Sequence, residues 1–565
     1  MANIFTQPCD EGVIKSTPAA APCARAAEPW ILTATILGTS MAFIDGTVVN
    51  VALPALQASL NATVRDVLWV VEAYALFLAA LILVGGLMGD RFGRRRIFCA
   101  GAALFSLASI WCGVAPGVGQ LIIARAVQGV GGALLVPGSL AIISASFSED
   151  RRGAAIGTWS GFTAITAAIG PVIGGWLIEH VSWRAVFFIN VPLALVVLGI
   201  SYWRLPESRD DAGEKRLDSL GAGLATVGLG AVVYGLIESS RLGFAHPLVL
   251  VALAIGALSL ALFILVEARS RNPMLPLTLF RSRNFGGANL LTLFLYTALA
   301  GAMFFLPINL IQVQGYSATE AGAALLPFVL ILFLLSRWCG GLVKRYGSKL
   351  PLVIGPIVAA FGYALFIVPG VGGSYWATFF PAVVVLGLGM ALSVAPLTTT
   401  VMSAVEGNRA GVASGVNNAV SRTAGLLGIA ILGIVILHAY SRELDRRLAP
   451  LSISPEARSS IDEQRARLGA TELPAGVNDE TRIALRKAID ESFVFGFRMV
   501  MTTAVGLALA SALSAFMMIE GKVAPSDVGA FQHRQKEERR ILARGGRGAE
   551  MSECTHLCIE GRLCD

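Results

Sequence analysis

Charge is what this chain is short of. Only 14% of its 565 residues are Asp, Glu, Lys or Arg, where a soluble protein carries about 25%. That deficit excludes a free-standing globular domain with a hydrated surface. Histidine is scarce as well, at five residues. His180, His246 and His438 are scattered and unpaired, without the nucleophile–base pair or metal-ligand grouping that an enzyme would show. No phosphate-binding loop of the Walker type occurs, which argues against direct use of ATP. The first 28 residues have no apolar core, so they read as a cytosolic tail rather than a secretory leader. The eight cysteines are Cys9, Cys23, Cys99, Cys112, Cys339, Cys554, Cys558 and Cys564. None falls in a predicted external loop, so no disulfide framework is expected. Cys554, His556, Cys558 and Cys564 do not follow the usual zinc spacings, and no metal site is expected.

What the chain does have is apolar length. It is 55% hydrophobic, with a mean hydropathy of +0.69, and it holds 61 glycines of the kind that let membrane helices pack closely. Windows of about 19 residues give fourteen candidate spans, centred on Phe43, Leu78, Leu107, Ala133, Ala167, Val196, Gly228, Gly256, Ala298, Leu332, Gly362, Gly389, Ala430 and Leu507. Spans seven and eight are the weakest, and dropping both leaves twelve. Backbone polar groups must be satisfied within lipid, so the expected class is an all-α integral membrane protein.

Basic loops fall on one side: Arg91 with Arg94–Arg96, then Arg151 and Arg152, Arg204 to Arg216, Arg269 to Arg283, Lys344 to Lys349, and Arg409. The other side offers only Arg65, Arg184 and Arg241 in its short loops. The net charge of +7 is therefore read as orientation in a bilayer, with both termini in the cytosol, and no nucleic-acid partner is expected. The expected division is a cytosolic tail over 1–29, a six-helix bundle over 30–205 and two inserted helices with linkers over 206–284. A second six-helix bundle follows over 285–520, with a long external loop at 438–493, and a basic cytosolic tail over 521–565. Within the loop, Pro455–Leu468 and Asp479–Glu491 read as short amphipathic helices. A monomer in the plasma (inner) membrane is expected.

A weak repeat supports two similar halves. Gly86-Leu-Met-Gly-Asp-Arg-Phe-Gly-Arg-Arg95 closes span two, and Gly340-Gly-Leu-Val-Lys-Arg-Tyr-Gly-Ser-Lys349 closes span ten. Duplicated halves that rock about a central site are a transporter architecture.

The charges left inside spans are the candidate site. Asp45 lies in span one, where an acid costs about 2.5–3.5 kcal/mol. It either hydrogen-bonds inside the bundle or exchanges a proton and meets cargo. Arg125 lies in span four, with Gln128 at i+3 on the same face. Glu72 stands a turn inside the external end of span two, as a second acid or an interfacial carboxylate. Arg422 in span thirteen either lines the path or snorkels to the cytosol. Gly157-x-x-x-Gly161 and Gly170-x-x-x-Gly174 form a close-packing stripe on span five, and Pro171 bends it.

Several of these residues carry a resemblance. GLMGDRFGRR at Gly86–Arg95, LIIARAVQGVGGA at Leu121–Ala133 and IGPVIGGW at Ile169–Trp176 resemble signatures of the major facilitator superfamily. FIDGTVVNVALPAL at Phe43–Leu56 and WRAVFFINVP at Trp183–Pro192 are similar to its fourteen-span drug:proton antiporter branch. The resemblance implies two six-helix bundles with two extra inserted helices. It implies a cytosolic gate or latch at Gly86, Asp90, Arg91, Gly93 and Arg94, although Lys344 stands where a second Asp would repeat it. It implies proton coupling at Arg125 with Asp45, and an antiporter kink at Gly161, Gly170, Pro171, Gly174 and Gly175. The function implied is export of small lipophilic or cationic compounds in exchange for protons, driven by the proton gradient with no cofactor. The alternatives are proton-coupled uptake of a small metabolite and, further off, a membrane sensor or enzyme.

Overall fold

The computed structural model describes residues 27–147, 149–208, 218–270, 273, 275–405, 410–451, 453–473 and 478–520. Among these residues every regular element is helical. The expected cytosolic tail before Ala27, the basic tail after Glu520 and its Cys–His cluster lie outside them.

The first half holds α1 (Glu28–Leu60), α2 (Val64–Phe92), α3 (Arg94–Val114), α4 (Val118–Ser146), α5 (Glu149–His180), the single turn α6 (Ala185–Phe188) and α7 (Asn190–Arg204). Two further helices follow, α8 (Ser219–Leu242) and α9 (Pro247–Arg269). The second half holds α10 (Arg283–Gln312), α11 (Ala318–Ala323), α12 (Leu326–Tyr346), α13 (Lys349–Leu365), α14 (Tyr375–Ser403), α15 (Ala410–Leu448), the short α16 (Pro455–Glu463) and α17 (Asp479–Met518). Eleven segments among the described residues are long and apolar enough to cross a membrane.

Local chemistry sets the boundaries. Asn61 ends α1 in the left-handed region at φ 54°, and Thr63 with Asp66 forms a reciprocal capping box that starts α2. Asp218 caps α8, accepting from Gly221 N at 2.7 Å, as its place before the span predicts. Gly93 joins α2 to α3 at φ +109°, and Gly347 follows α12 at φ +76°. A side chain would be strained at both, so the sequence repeat marks the same tight turn in each half.

Within the first half α2 and α3 pack on α4, and α1 packs on α5 and α7. In the second, α10 packs on α15 and α17, and α14 on α12 and α13. The halves meet through α5 with α11, α2 with α15, and α1 with α10. Helix α8 lies against both α2 and α15, and α9 packs on α8.

Two details differ from the sequence reading, in which Gly86 and Gly89 allow the close helix contact and Asp479–Glu491 is a loop helix. The close approach between α2 and α4 is at Gly85, where a Cβ would collide with the Ala133 carbonyl; at Gly86 the nearest atom, on Pro137, is an ordinary 3.7 Å away. Asp479–Glu491 is also no separate loop helix. It is the start of the 40-residue α17, because Leu485, Ile489 and Phe493 continue one buried stripe at helical spacing. On the other flank α15 runs on to Leu448, which leaves a short cap of α16 and a 3-10 turn over Arg465–Ala470.

Candidate functional site

Four helices of the first half deliver polar side chains to one dry point. Asp45 comes from α1, Ser109 from α3, Arg125 and Gln128 from α4, and Asn190 from the first residue of α7. None of the five is more than 1% exposed. Arg125 Nη1 donates to Asp45 Oδ2 at 2.5 Å and to Gln128 Oε1 at 2.6 Å, and Arg125 Nε donates to the Val70 carbonyl at 3.0 Å. Gln128 Nε2 donates to Asp45 Oδ1 and to Ser109 Oγ, both at 2.8 Å. Asn190 Nδ2 reaches Asp45 Oδ1 at 3.5 Å and Ser109 Oγ at 3.3 Å. The Tyr74 ring lies 4.3 Å from the guanidinium, and its hydroxyl donates to the Ala42 carbonyl at 3.3 Å.

A buried ion pair persists only when its remaining donors and acceptors are satisfied, because stripping water from each ion costs several kcal/mol. Here the i, i+3 spacing of Arg125 and Gln128 turns both onto Asp45, and the carboxylate accepts on both oxygens. Removing one partner of such a pair costs about 3–5 kcal/mol. The arrangement can therefore store one negative charge against one fixed positive charge, and a proton on Asp45 would release the guanidinium.

That guanidinium opens onto a cavity of about 210 Å³ between the halves. Gly46 and Asn50 of α1, Tyr74 of α2, Arg125 of α4 and Arg422 of α15 line it, with apolar residues such as Leu78 and Ile429. Asp45 is not among the lining residues; it lies behind Arg125. Arg422 faces the cavity and does not snorkel. Beside it, Asn417 Nδ2 donates to Asn289 Oδ1 at 3.2 Å and Thr292 Oγ1 at 2.8 Å, tying α15 to α10.

Glu72 is not brought to this site. It is fully buried, and among the described residues neither carboxylate oxygen has a hydrogen-bond partner. Its neighbours on the helix face explain where it points: Trp69 packs on Tyr234 of α8, with ring centroids 6.0 Å apart, Leu76 sits beside Gly230 of α8, and Leu68 beside Gly433 of α15. Glu72 therefore occupies the seam between α2, α8 and α15.

The turn after α2 is tied to the end of α7. Arg94 N donates to the Ser208 carbonyl at 2.9 Å, Arg95 N to Glu207 Oε1 at 3.1 Å, and the Glu207 carboxylate lies where a Cβ on Gly93 would stand. Arg91 is exposed over the Phe92 ring. The side chain of Asp90 and the surroundings of Gly161 lie outside the described residues. Farther along α5, Gly170 meets Thr47 and Gly174 meets Val48 of α1. Gly175 packs on Ala318 and Thr319, and the Pro171 carbonyl packs on Gly322 of α11. The stripe thus serves two contacts, one inside the first half and one across to the second.

The face away from Gly93 and Gly347 is fastened by residues that sequence reading missed. Glu179 on the last turn of α5 accepts from Thr319 N at 2.7 Å and Thr319 Oγ1 at 2.8 Å. Gln312 of α10 donates to Gln57 Oε1 of α1 at 2.9 Å, and Gln57 Nε2 donates to the Arg467 carbonyl of the cap at 3.2 Å. Arg486 then donates to the carbonyls of Gln312 at 2.7 Å and Gly469 at 3.1 Å. Only Asn190 among the missed residues carried a signal, its place inside the Trp183–Pro192 motif.

A polar cluster of this kind, buried in one of two repeated helical halves and edging a cavity between them, is a transporter's site. The comparisons agree: residues 35–429 match the family model of the Major Facilitator Superfamily, and the chain belongs to that family. It is a multi-pass membrane protein, and its family are transporters and not enzymes. It is 33% identical over 503 residues to the multidrug resistance protein Stp of Mycobacterium tuberculosis, covering 87% of this chain and 90% of that protein. It is 33% identical over 494 residues to the tetracenomycin C resistance and export protein of Streptomyces glaucescens, covering 86% and 90%. To the puromycin resistance protein pur8 of Streptomyces alboniger it is 36% identical over 410 residues, covering 72% and 81%. Among solved structures, a bacterial homolog of the human lysosomal transporter Spinster, inward-facing and unoccupied, superposes with a TM-score of 0.62 at 17% identity. That match covers 89% of this chain and 100% of the other.

Proposed function

We propose that this chain exports small lipophilic compounds in exchange for protons by alternating access. The observation that carries the reading is the Asp45–Arg125 pair, closed off from solvent at the back of a cavity between the halves. Asp45 takes the proton, Arg125 senses its charge, and the cavity between Tyr74 and Arg422 takes the cargo. Relatives named as resistance and export proteins support the direction of transport. Adding Val64–Phe92, Glu149–His180 and the shorter Lys349–Leu365 to the eleven apolar segments makes fourteen spans, with α8 and α9 as the inserted pair. The face that carries Arg91–Arg96 and Arg345 is then cytosolic. Fastening at the opposite face through Glu179 and Gln57 makes this the inward-facing conformer. Gly86, Asp90, Arg91, Gly93 and Arg94 would hold the cytosolic side in the other conformer.

Purified protein in liposomes loaded with N-phenyl-1-naphthylamine tests the reading. An imposed pH gradient should drive the fluorophore across the membrane against protons, and Asp45→Asn should abolish the gradient's effect. Gradient-driven movement that survives Asp45→Asn, or movement of probe and proton in the same direction, would refute it.

A further inference from the structure

The charges around the cavity decide what kind of cargo an exchanger can take here. This inference rests on the proton-exchange reading and narrows it. Arg125 is offset by Asp45, but Arg422 lines the same cavity with no hydrogen bond or ion pair among the described residues. The lining residues include no Asp or Glu. Among the described residues the nearby groups therefore sum to one positive charge when Asp45 is ionised and two when it is protonated. A cation is repelled in both states, so the expectation of cationic cargo finds no counter-ion. An anion is attracted in both, more strongly once Asp45 holds a proton. Such mutual reinforcement loads proton and anion together, and ligands that help one another bind are carried together, not exchanged.

We infer that the cargo is uncharged and rich in oxygen acceptors, a carbonyl- or quinone-bearing aromatic skeleton whose oxygen accepts from Arg422. The lining of the cavity fits that chemistry. The guanidinium is a fan of donors with no acceptor, and among the described residues none takes up its donors. Asn50 adds an amide at the same wall, and the Tyr74 ring lines it too. Apart from Arg125, the remaining side chains of the lining, among them Val49, Val71, Leu78, Leu426 and Ile429, are apolar. A guanidinium shielded from water is costly until something accepts from it; a neutral carbonyl supplies the acceptor without adding the negative charge that would draw a proton onto Asp45.

The test uses the full chain in lipid nanodiscs and three probes of one ring system: 1-naphthamide, 1-naphthoate and 1-naphthylmethylammonium. Titration calorimetry in two buffers of different ionisation heat gives affinity and protons taken up. The amide should bind about tenfold more tightly than the ammonium, with no proton taken up. Naphthoate should bind with proton uptake that Asp45→Asn removes. Arg422→Gln should weaken the amide about tenfold and admit the ammonium, whereas Arg422→Lys should keep the ammonium out. Equal affinity for the three probes, tighter binding of the ammonium, no binding at all, or affinities unmoved by Arg422→Gln would overturn the inference. Loss of pH-driven movement in the liposome assay with this affinity order intact would instead strike the exchange reading and leave the cargo class standing.

Discussion

Arg125 stands between Asp45 and the cavity: the guanidinium lines the space, and the carboxylate it holds does not. Among the described residues each side chain is thus the other's only counter-charge, at 2.5 Å, and the two should be separable by a double-mutant cycle. Asp45→Asn alone leaves an uncompensated guanidinium and should destabilise the protein by about 3–5 kcal/mol. Arg125→Gln alone should cost a similar amount. The double variant should recover most of the thermal stability, read by scanning fluorimetry, without recovering proton-driven transport. Additive losses would show that the pair is not the coupled unit.

The contact from Glu179 to Thr319 joins the first half to the second at an exposed face. Solvent screens it, so it is worth about 1 kcal/mol or less. Glu179→Ala should shift the conformers only a few-fold, toward opening at that face. Spin labels on α5 and α12 should report a larger population of long distances, with the fold intact. An unchanged distance distribution would remove Glu179 from the gate.

Glycine substitutions should sort by what a new Cβ would meet. At Gly175 it would stand 2.5 Å from the Ala318 carbonyl and from Thr319 Cα, and at Gly322 it would meet the Pro171 carbonyl. Gly175→Val and Gly322→Val should therefore hold the two halves apart at this face and cut transport sharply while the chain still inserts. Gly506 has nothing within 4 Å, so Gly506→Ala should keep full transport and gain about 0.5–1 kcal/mol of helix stability. Equal behaviour of the three variants would mean that the close approach at α11 does not govern the cycle.

Ion pairs fasten the outside of the cap beside the gate. Arg465 donates to Asp445 and Asp462, and Arg458 donates to Asp445 at 2.7 Å. Glu456, on the first turn of α16, is held below the usual carboxylate range by a backbone hydrogen bond and by the Ser454 hydroxyl. A depressed carboxylate stabilises the cap above its unfolded value, and that help fades as pH falls through the lower folded value. Cleavage at Arg458 by an added protease should thus be slow near neutral pH and faster in acid or high salt, and Arg465→Ala should be cut quickly under all conditions. Cleavage independent of pH and salt would mean that packing around Ile461 and Leu468 holds the cap instead.

Much of this molecule was legible in its residues. A run such as Ile31–Ala55 can only be a membrane helix, and an acid inside it has to be handled, so Asp45 and Arg125 could be singled out and Gln128 placed with them by spacing alone. The rest depends on which helix lies next to which. Glu72 is as conspicuous in sequence as Asp45, yet it faces α8 and α15, because face assignment on a uniformly apolar helix has no amphipathic stripe to read. Ser109 and Asn190 are ordinary polar residues until α3 and α7 bring them to Asp45. Gly85 and Gly86 are adjacent, and only the Ala133 carbonyl distinguishes them. The polar fastenings at Gln57, Gln312 and Glu179 join residues more than a hundred positions apart, which no local pattern records.

Helix α8 touches α2 on one side and α15 on the other, and α9 covers it. Helices α8 and α9 therefore act as a shutter along one flank of the cleft. A hydrophobic molecule already dissolved in the bilayer would find that flank boarded over.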